Sequence, residues 1–121
     1  MKLSIITATY NSSQTVADTL ASVQRQSYPN IEHIVVDGVS RDNTLDIVRQ
    51  FPHVATLVSE KDSGIYDAMN KGIGLTNGDV IGILNSDDIY SNEQAIDKVM
   101  AVFEDPSVDA VYGDLQYVSR H

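Results

Sequence analysis

The chain contains no cysteine. That absence excludes disulfides, zinc–thiolate sites and cysteine nucleophiles together, and it fits a reducing compartment. Basic residues are scarce: 8 Lys and Arg stand against 17 Asp and Glu, for a net charge of −9. A nucleic-acid binder presents a basic face, and none is legible, so no nucleic-acid partner is expected. Long apolar runs are missing as well. No stretch approaches the roughly 18–20 residues that span a bilayer. The opening Met1-Lys2-Leu3-Ser4-Ile5-Ile6 turns polar at Thr7, too soon for the apolar region of a signal peptide. A soluble chain is expected, in the cytoplasm or peripherally at the inner face of the membrane. His33, His53 and His121 lack ligand spacing, which disfavours zinc. No GxxxxGK[ST] loop occurs. The segment from Gly72 to Gly78 approaches a dinucleotide fingerprint but has one residue too many and falls at a helix end. P-loop NTPases and dinucleotide enzymes are thereby disfavoured, and no Ser–His–Asp set stands out.

What is present is a regular alternation. Apolar runs at Leu3–Ala8, Ile34–Val36, Val54–Val58, Val80–Leu84 and Val108–Tyr112 read as strands. Helical spacing lies between them. Val16, Leu20 and Val23 form one stripe, with cap candidates at Asn11, Ser12 and Ser13. Leu45, Val48 and Phe51 form a second, capped by Asp42 or Asn43. A third runs from about Ile65 to Leu75, opened by Gly64, with Ala68, Met69, Gly72 and Ile73 on one side. Ser91-Asn92-Glu93-Gln94 fits a capping box ahead of a helix with Ile96, Val99 and Phe103 inward. Strands alternating with helices imply βαβ units. The fold class is α/β: a mostly parallel, Rossmann-like sheet with helices on both faces. The 121 residues make one domain, 1–121.

Ligands of open parallel sheets bind beyond the carboxyl ends of the strands. The first strand delivers Thr7, Ala8, Thr9, Tyr10 and Asn11 to that edge. The second delivers Asp37, Gly38 and Ser40, the third Glu60, Asp62, Ser63 and Gly64, and the fourth Asn85, Ser86, Asp87 and Asp88. An aromatic, small polar residues, glycines and acids together suit a nucleotide. Adjacent carboxylates repel unless a cation joins them, and all-oxygen ligands favour Mg2+ or Mn2+. In extended backbone Asp87 and Asp88 point to opposite sides, so one would ligate the ion and the other turn away. Each feature also has a structural reading. Tyr10 could pack at a strand end, Asp37-Gly38 could be a turn, and Asp87 or Asp88 could cap a helical turn. Asp67 and Lys71, four apart on one helix, read as a surface ion pair.

Four segments, in order, carry a resemblance: LSIITATYN (3–11), VDGVSRDNT (36–44), SGIYDAMNKG (63–72) and GDVIGILNSDDIY (78–90), followed by VDAVYGD (108–114). The chain resembles the amino-terminal half of family 2 glycosyltransferases, the inverting enzymes of the GT-A fold, and bacterial polysaccharide-building members in particular. The resemblance implies a nucleotide-sugar-binding part of a larger fold, cut short on its C-terminal side. It implies that Tyr10 stacks on the nucleobase, with Ala8 touching it through backbone beside Thr7. Asp37 would bond the base edge, Asp87 would approach the ribose, and Asp88 would ligate the metal. Asn70 would lie near the donor. Where many members have a third acid in the motif, this chain has Asn85. Where some carry a basic residue for the base, Ser63-Gly64 stands instead.

The implied reaction moves a sugar, with inversion, from a nucleoside-diphosphate sugar to a saccharide or lipid-linked acceptor, and the donor base is expected to be uridine. The metal would stabilise charge on the departing diphosphate. A carboxylate base is needed for the acceptor hydroxyl. None is evident among the closing residues, and Asp114 is the one late acid to test. The alternative is a nucleotide-sugar-binding module without transferase activity.

Overall fold

In the computed structural model, which describes residues 1–112 and 116–119, the chain forms six strands and four helices. They are β1 (Leu3–Thr9), α1 (Val16–Gln24), β2 (Ile31–Asp37), α2 (Thr44–Val48), β3 (Val54–Ser59) and α3 (Ile65–Leu75). β4 (Val80–Ile83), α4 (Ala95–Phe103), β5 (Ala110–Tyr112) and β6 (Gln116–Ser119) follow. The sheet order is β3-β2-β1-β4-β6-β5. The first four strands pair in parallel, as expected. β6 inserts antiparallel between β4 and β5. The sequence reading did not foresee β6, whose Gln-Tyr-Val-Ser run lacks a continuous apolar signal.

Strand pleating sends alternate residues of β1 and β2 to opposite faces. On one face Leu3 and Ile5 are fully buried with Leu84 against Ile96, Met100 and Phe103 of α4. Beside them Val35 packs with Val16 and Leu20 of α1 and Val48 of α2. On the other face Ile34 and Val36 pack against Ala68 of α3. Removing such side chains from water stabilises by about 1.5–3 kcal/mol each. α3 sits close because Gly72 has no side chain: a Cβ there would lie 2.5 Å from Ile6 Cγ2. Ala68 and Gly72 thus face inward as expected, while Ile73 is exposed.

Three other expectations are corrected. The helix expected to run through Phe51 ends at Val48; of its two cap candidates Asp42 is the one that accepts, from the amide and hydroxyl of Thr44. The capping box before α4 does not form. Gln26, just past α1, fills that role from outside, its Oε1 accepting from Ile96 N at 3.0 Å and its Nε2 donating to Asn92 O at 2.7 Å. A partner from a distant segment satisfies the helix's first free amides as well as a local one. The histidines are not all scattered. His33 Nδ1 lies 3.1 Å from His53 Nε2, and His33 Nε2 lies 2.9 Å from Thr7 Oγ1. Burial, with the neighbouring His53 second, pushes His33 down to about 3, so it is neutral. His121 lies outside the described residues.

Candidate functional site

The strand order reverses between β1 and β4, with β2 and β3 running off one side of β1. Such a switch point leaves a crevice at the carboxyl ends of the two central strands. The loop after β1 and the turn after β4 meet there. Ser12 Oγ donates to Ser86 Oγ at 3.0 Å, joining them directly. A cleft of about 340 Å³ opens beside this bridge. Its walls are Ala8 and Thr9 at the end of β1, Tyr10 and Ser12 after it, Asp62 and Gly64 before α3, Ile65 and Ala68 on α3, and Ser86. Tyr10 is 60% exposed, an aromatic ring held at the rim rather than packed away.

The acidic turn is held from below by α1. Thr19, fully buried, donates to Ser86 O at 3.0 Å, and Ser22 Oγ accepts from Tyr90 N at 3.1 Å. Two polar positions on an otherwise apolar helix face therefore place residues 86 to 90. The backbone there is not extended: Asp88 N donates to Asn85 O at 3.1 Å, closing a turn. The extended backbone assumed for this pair is thus corrected. The two acids still differ, Asp87 being exposed and Asp88 half-buried. Among the described residues no three His, Cys, Asp or Glu side chains gather as a metal cluster. A hard divalent cation bound by one or two carboxylates takes its remaining ligands from phosphate and water. The donor chemistry of this turn fits that arrangement.

Asp37 stands apart from the cleft walls. It is fully buried at the end of β2. Oδ1 accepts from Thr9 Oγ1 at 2.7 Å and Ser40 Oγ at 2.5 Å; Oδ2 accepts from Ser40 N at 2.8 Å and Ser59 Oγ at 3.0 Å. Burial acts to raise its pKa, but these hydrogen bonds outweigh it, and the carboxyl is held below its ordinary value. A carboxylate offers about four acceptor positions, and all are filled. The loop it anchors is tight: Val39 adopts φ +64°, a conformation rare for a branched side chain. Thr7, likewise fully buried, turns its hydroxyl to His33 and not to the cleft. Asn70 is exposed on α3, about 160° round the helix from Ala68, and does not line this cleft. Asp67 and Lys71 form the expected surface pair at 3.6 Å, and Lys71 also reaches Glu60 at 3.3 Å. Asp62 belongs to the cleft although the sequence reading gave it no role; its place on the ligand edge after β3 was the available signal. Asp114 falls outside the described residues.

Residues 4–121 match the model of glycosyl transferase family 2. The chain belongs to this family. Among curated relatives, a PGL/p-HBAD biosynthesis glycosyltransferase of Mycobacterium bovis is 36% identical over 117 residues, covering 93% of this chain and 46% of that protein. A Bacillus subtilis glycosyltransferase assigned to teichuronic acid biosynthesis is 37% identical over 98 residues, covering 76% and 38%. The chain thus spans less than half the length of these relatives. Among solved structures, Staphylococcus aureus TarS 1–349 in complex with UDP-GlcNAc superposes with a TM-score of 0.84 at 27% identity, over 91% of this chain and 33% of that one. A Pyrobaculum calidifontis mannosyltransferase solved with GDP-Man and Mn2+ gives a TM-score of 0.90 at 23% identity, over 98% and 44%. The fold of this family 2 chain is the GT-A type, mixed α/β with a mostly parallel sheet. Among the described residues no helix is long and apolar enough to cross a membrane.

Proposed function

We propose that this chain is the donor-binding part of an inverting glycosyltransferase. The enzyme would move a sugar from a UDP-linked donor to a saccharide or lipid-linked acceptor. Its setting would be bacterial cell-surface polysaccharide synthesis in the cytoplasm. The observation that carries this is the Ser12–Ser86 bridge, which fixes an exposed aromatic and an acidic turn on the two sides of one switch-point cleft. A nucleoside diphosphate needs both features: a stacking surface for the base and a cation seat for the phosphates. UDP-GlcNAc and GDP-Man bound to proteins of this fold are in keeping with it.

In this reading Tyr10 stacks on the base and Ala8 lines its path. Asp87, the more exposed acid, takes the ribose. Asp88 holds Mn2+ or Mg2+, which when bound offsets the charge of the departing diphosphate. Thr7 and Asp37 act from beneath, through His33 and through the loop of Ser40, by keeping the strand ends in register.

Calorimetric titration of the chain with UDP tests this. Mn2+ should tighten binding by about tenfold or more, and Asp88→Ala should abolish that gain. Binding that is indifferent to metal, and unchanged by the substitution, would remove Asp88 as the ligand. The alternative of a binding module without transfer is separated by assaying sugar transfer in the protein that carries this chain together with the sequence its relatives add.

A further inference from the structure

The acidic turn hangs between two anchors. On its near side Leu84 N donates to Ile6 O at 3.0 Å, and Ser86 is tied to Ser12 and Thr19. On its far side the anchor is Tyr90, two places after Asp88, with the exposed Ile89 between them. Tyr90 is held twice. Its amide donates to Ser22 Oγ on α1 at 3.1 Å. Its buried ring carries the hydroxyl inward, where it accepts from the hydroxyl of Tyr117 on β6. Tyr117 is buried as well, in the same apolar cluster. Its ring has room because its register partner on β4 is Gly82. A Cβ on Gly82 would lie 2.8 Å from Cδ1 and Cε1 of that ring. Glycine weakens a strand interior, and it marks a place where another group comes close. Thus β6 lays a side chain across β4 and reaches the turn that β4 itself delivers.

We infer that Tyr117 is a positioning residue for the cation seat: through the Tyr90 hydroxyl it fixes the far end of the turn that carries Asp88. This rests on the reading of Asp88 as metal ligand proposed above. A ligating group must be held within about 0.5 Å of its productive place. The turn is closed by Asp88 N on Asn85 O, and its place in the molecule is set by what holds its ends. Without Tyr117 the Tyr90 hydroxyl would be a buried polar group left unpaired, a cost that movement of the ring towards solvent relieves. The ring cannot move far without drawing Asp88 with it, because one residue separates them.

The test titrates UDP calorimetrically into the chain with and without Mn2+. The readout is the metal gain, the ratio of the two dissociation constants, which is about tenfold or more in the unaltered chain. Tyr117→Phe keeps the ring over Gly82 and removes the hydroxyl. Its metal gain should fall by about three- to fivefold, with metal-free UDP binding unchanged. Tyr90→Phe should lower the gain equally, and the double variant, an all-apolar pair, should lose no more than either alone. Tyr28→Phe removes a hydroxyl of the same kind, bonded to Met1 O at the amino ends of the strands. It should lower the melting temperature and leave the metal gain as it is. A metal gain unaltered in Tyr117→Phe overturns the inference, as do losses that add in the double variant or an equal loss in Tyr28→Phe. An unaltered chain whose UDP binding ignores Mn2+ overturns the cation seat itself, and the inference with it.

Discussion

At the amino end of β2, Glu32 is buried beside its register partner Ser4; at the carboxyl end, Asp37 is buried beside its register partner Thr9. Both carboxylates accept from a β1 hydroxyl, Glu32 at 2.6 Å and Asp37 at 2.7 Å. Both are held below their ordinary pKa by hydrogen bonds that outweigh burial. The residues five apart on the strand face opposite sides of the sheet. At the amino end the acid ties down the chain's start. Glu32 also accepts from Asn77 N at 3.1 Å and meets Lys2 at 3.6 Å. At the carboxyl end the same device closes on itself, while Asp62, Asp87 and Asp88 stand further out, where a ligand can reach them. A buried acid whose every position is filled makes a rigid floor; acids left open above it make a site. Sequence shows both kinds as the same letter.

The largest contrast should come from deletion. Asp37→Ala strands three hydroxyls and an amide and should cost about 3–4 kcal/mol. Glu32→Ala, whose Lys2 partner is already 35% exposed to water, should cost about 1–2 kcal/mol. Denaturant midpoints measure both, and equal losses would erase the distinction between floor and tether.

Acid should come next. His33 stays neutral in the fold down to about 3 but takes a proton near 6.5 once unfolded. Its contribution is complete above pH 6.5 and is lost as pH falls, by about 2 kcal/mol between pH 6.5 and 5. The depressed carboxylates add to stability above their unfolded values and lose it at lower pH, as they are protonated in the fold. Urea melts at pH 6.5 and 5 should show the first stage, and His33→Gln should flatten it. An unchanged slope in that variant would assign the acid sensitivity to the two ends of β2 alone.

The smallest effect concerns the open acids. Thr19→Val keeps the shape of α1 but removes the donor to Ser86 O. Mn2+-dependent UDP binding should weaken by about 1 kcal/mol, roughly fivefold in Kd. The amino end, and the melting temperature, should barely move. Unaltered affinity would mean that the acidic turn holds its place without α1.

Much of this architecture is written locally. The apolar run at Ile34–Val36 and the glycine ahead of Ile65 mark a strand and a helix, and both are found where they were read. So is the delivery of Ala8, Tyr10 and the acidic turn to one edge, because parallel pairing forces it. What escaped is long-range. Gln26 caps α4 from a segment that carries no capping signature. His33 and His53 meet because β2 and β3 are neighbours, a fact no spacing rule between them encodes. Asp37 is held by residues from three separate stretches, Thr9, Ser40 and Ser59, a set of partners that its letter alone does not announce.

The placement of Asp62 opposite a bare Gly38 has a consequence for how such a chain can diverge. The carboxylate that secures the strand ends and the carboxylate that faces the cleft belong to different segments. Replacement at position 62 leaves the anchor at 37 intact, so the wall of the cleft can change its chemistry without loosening the strand ends beneath it.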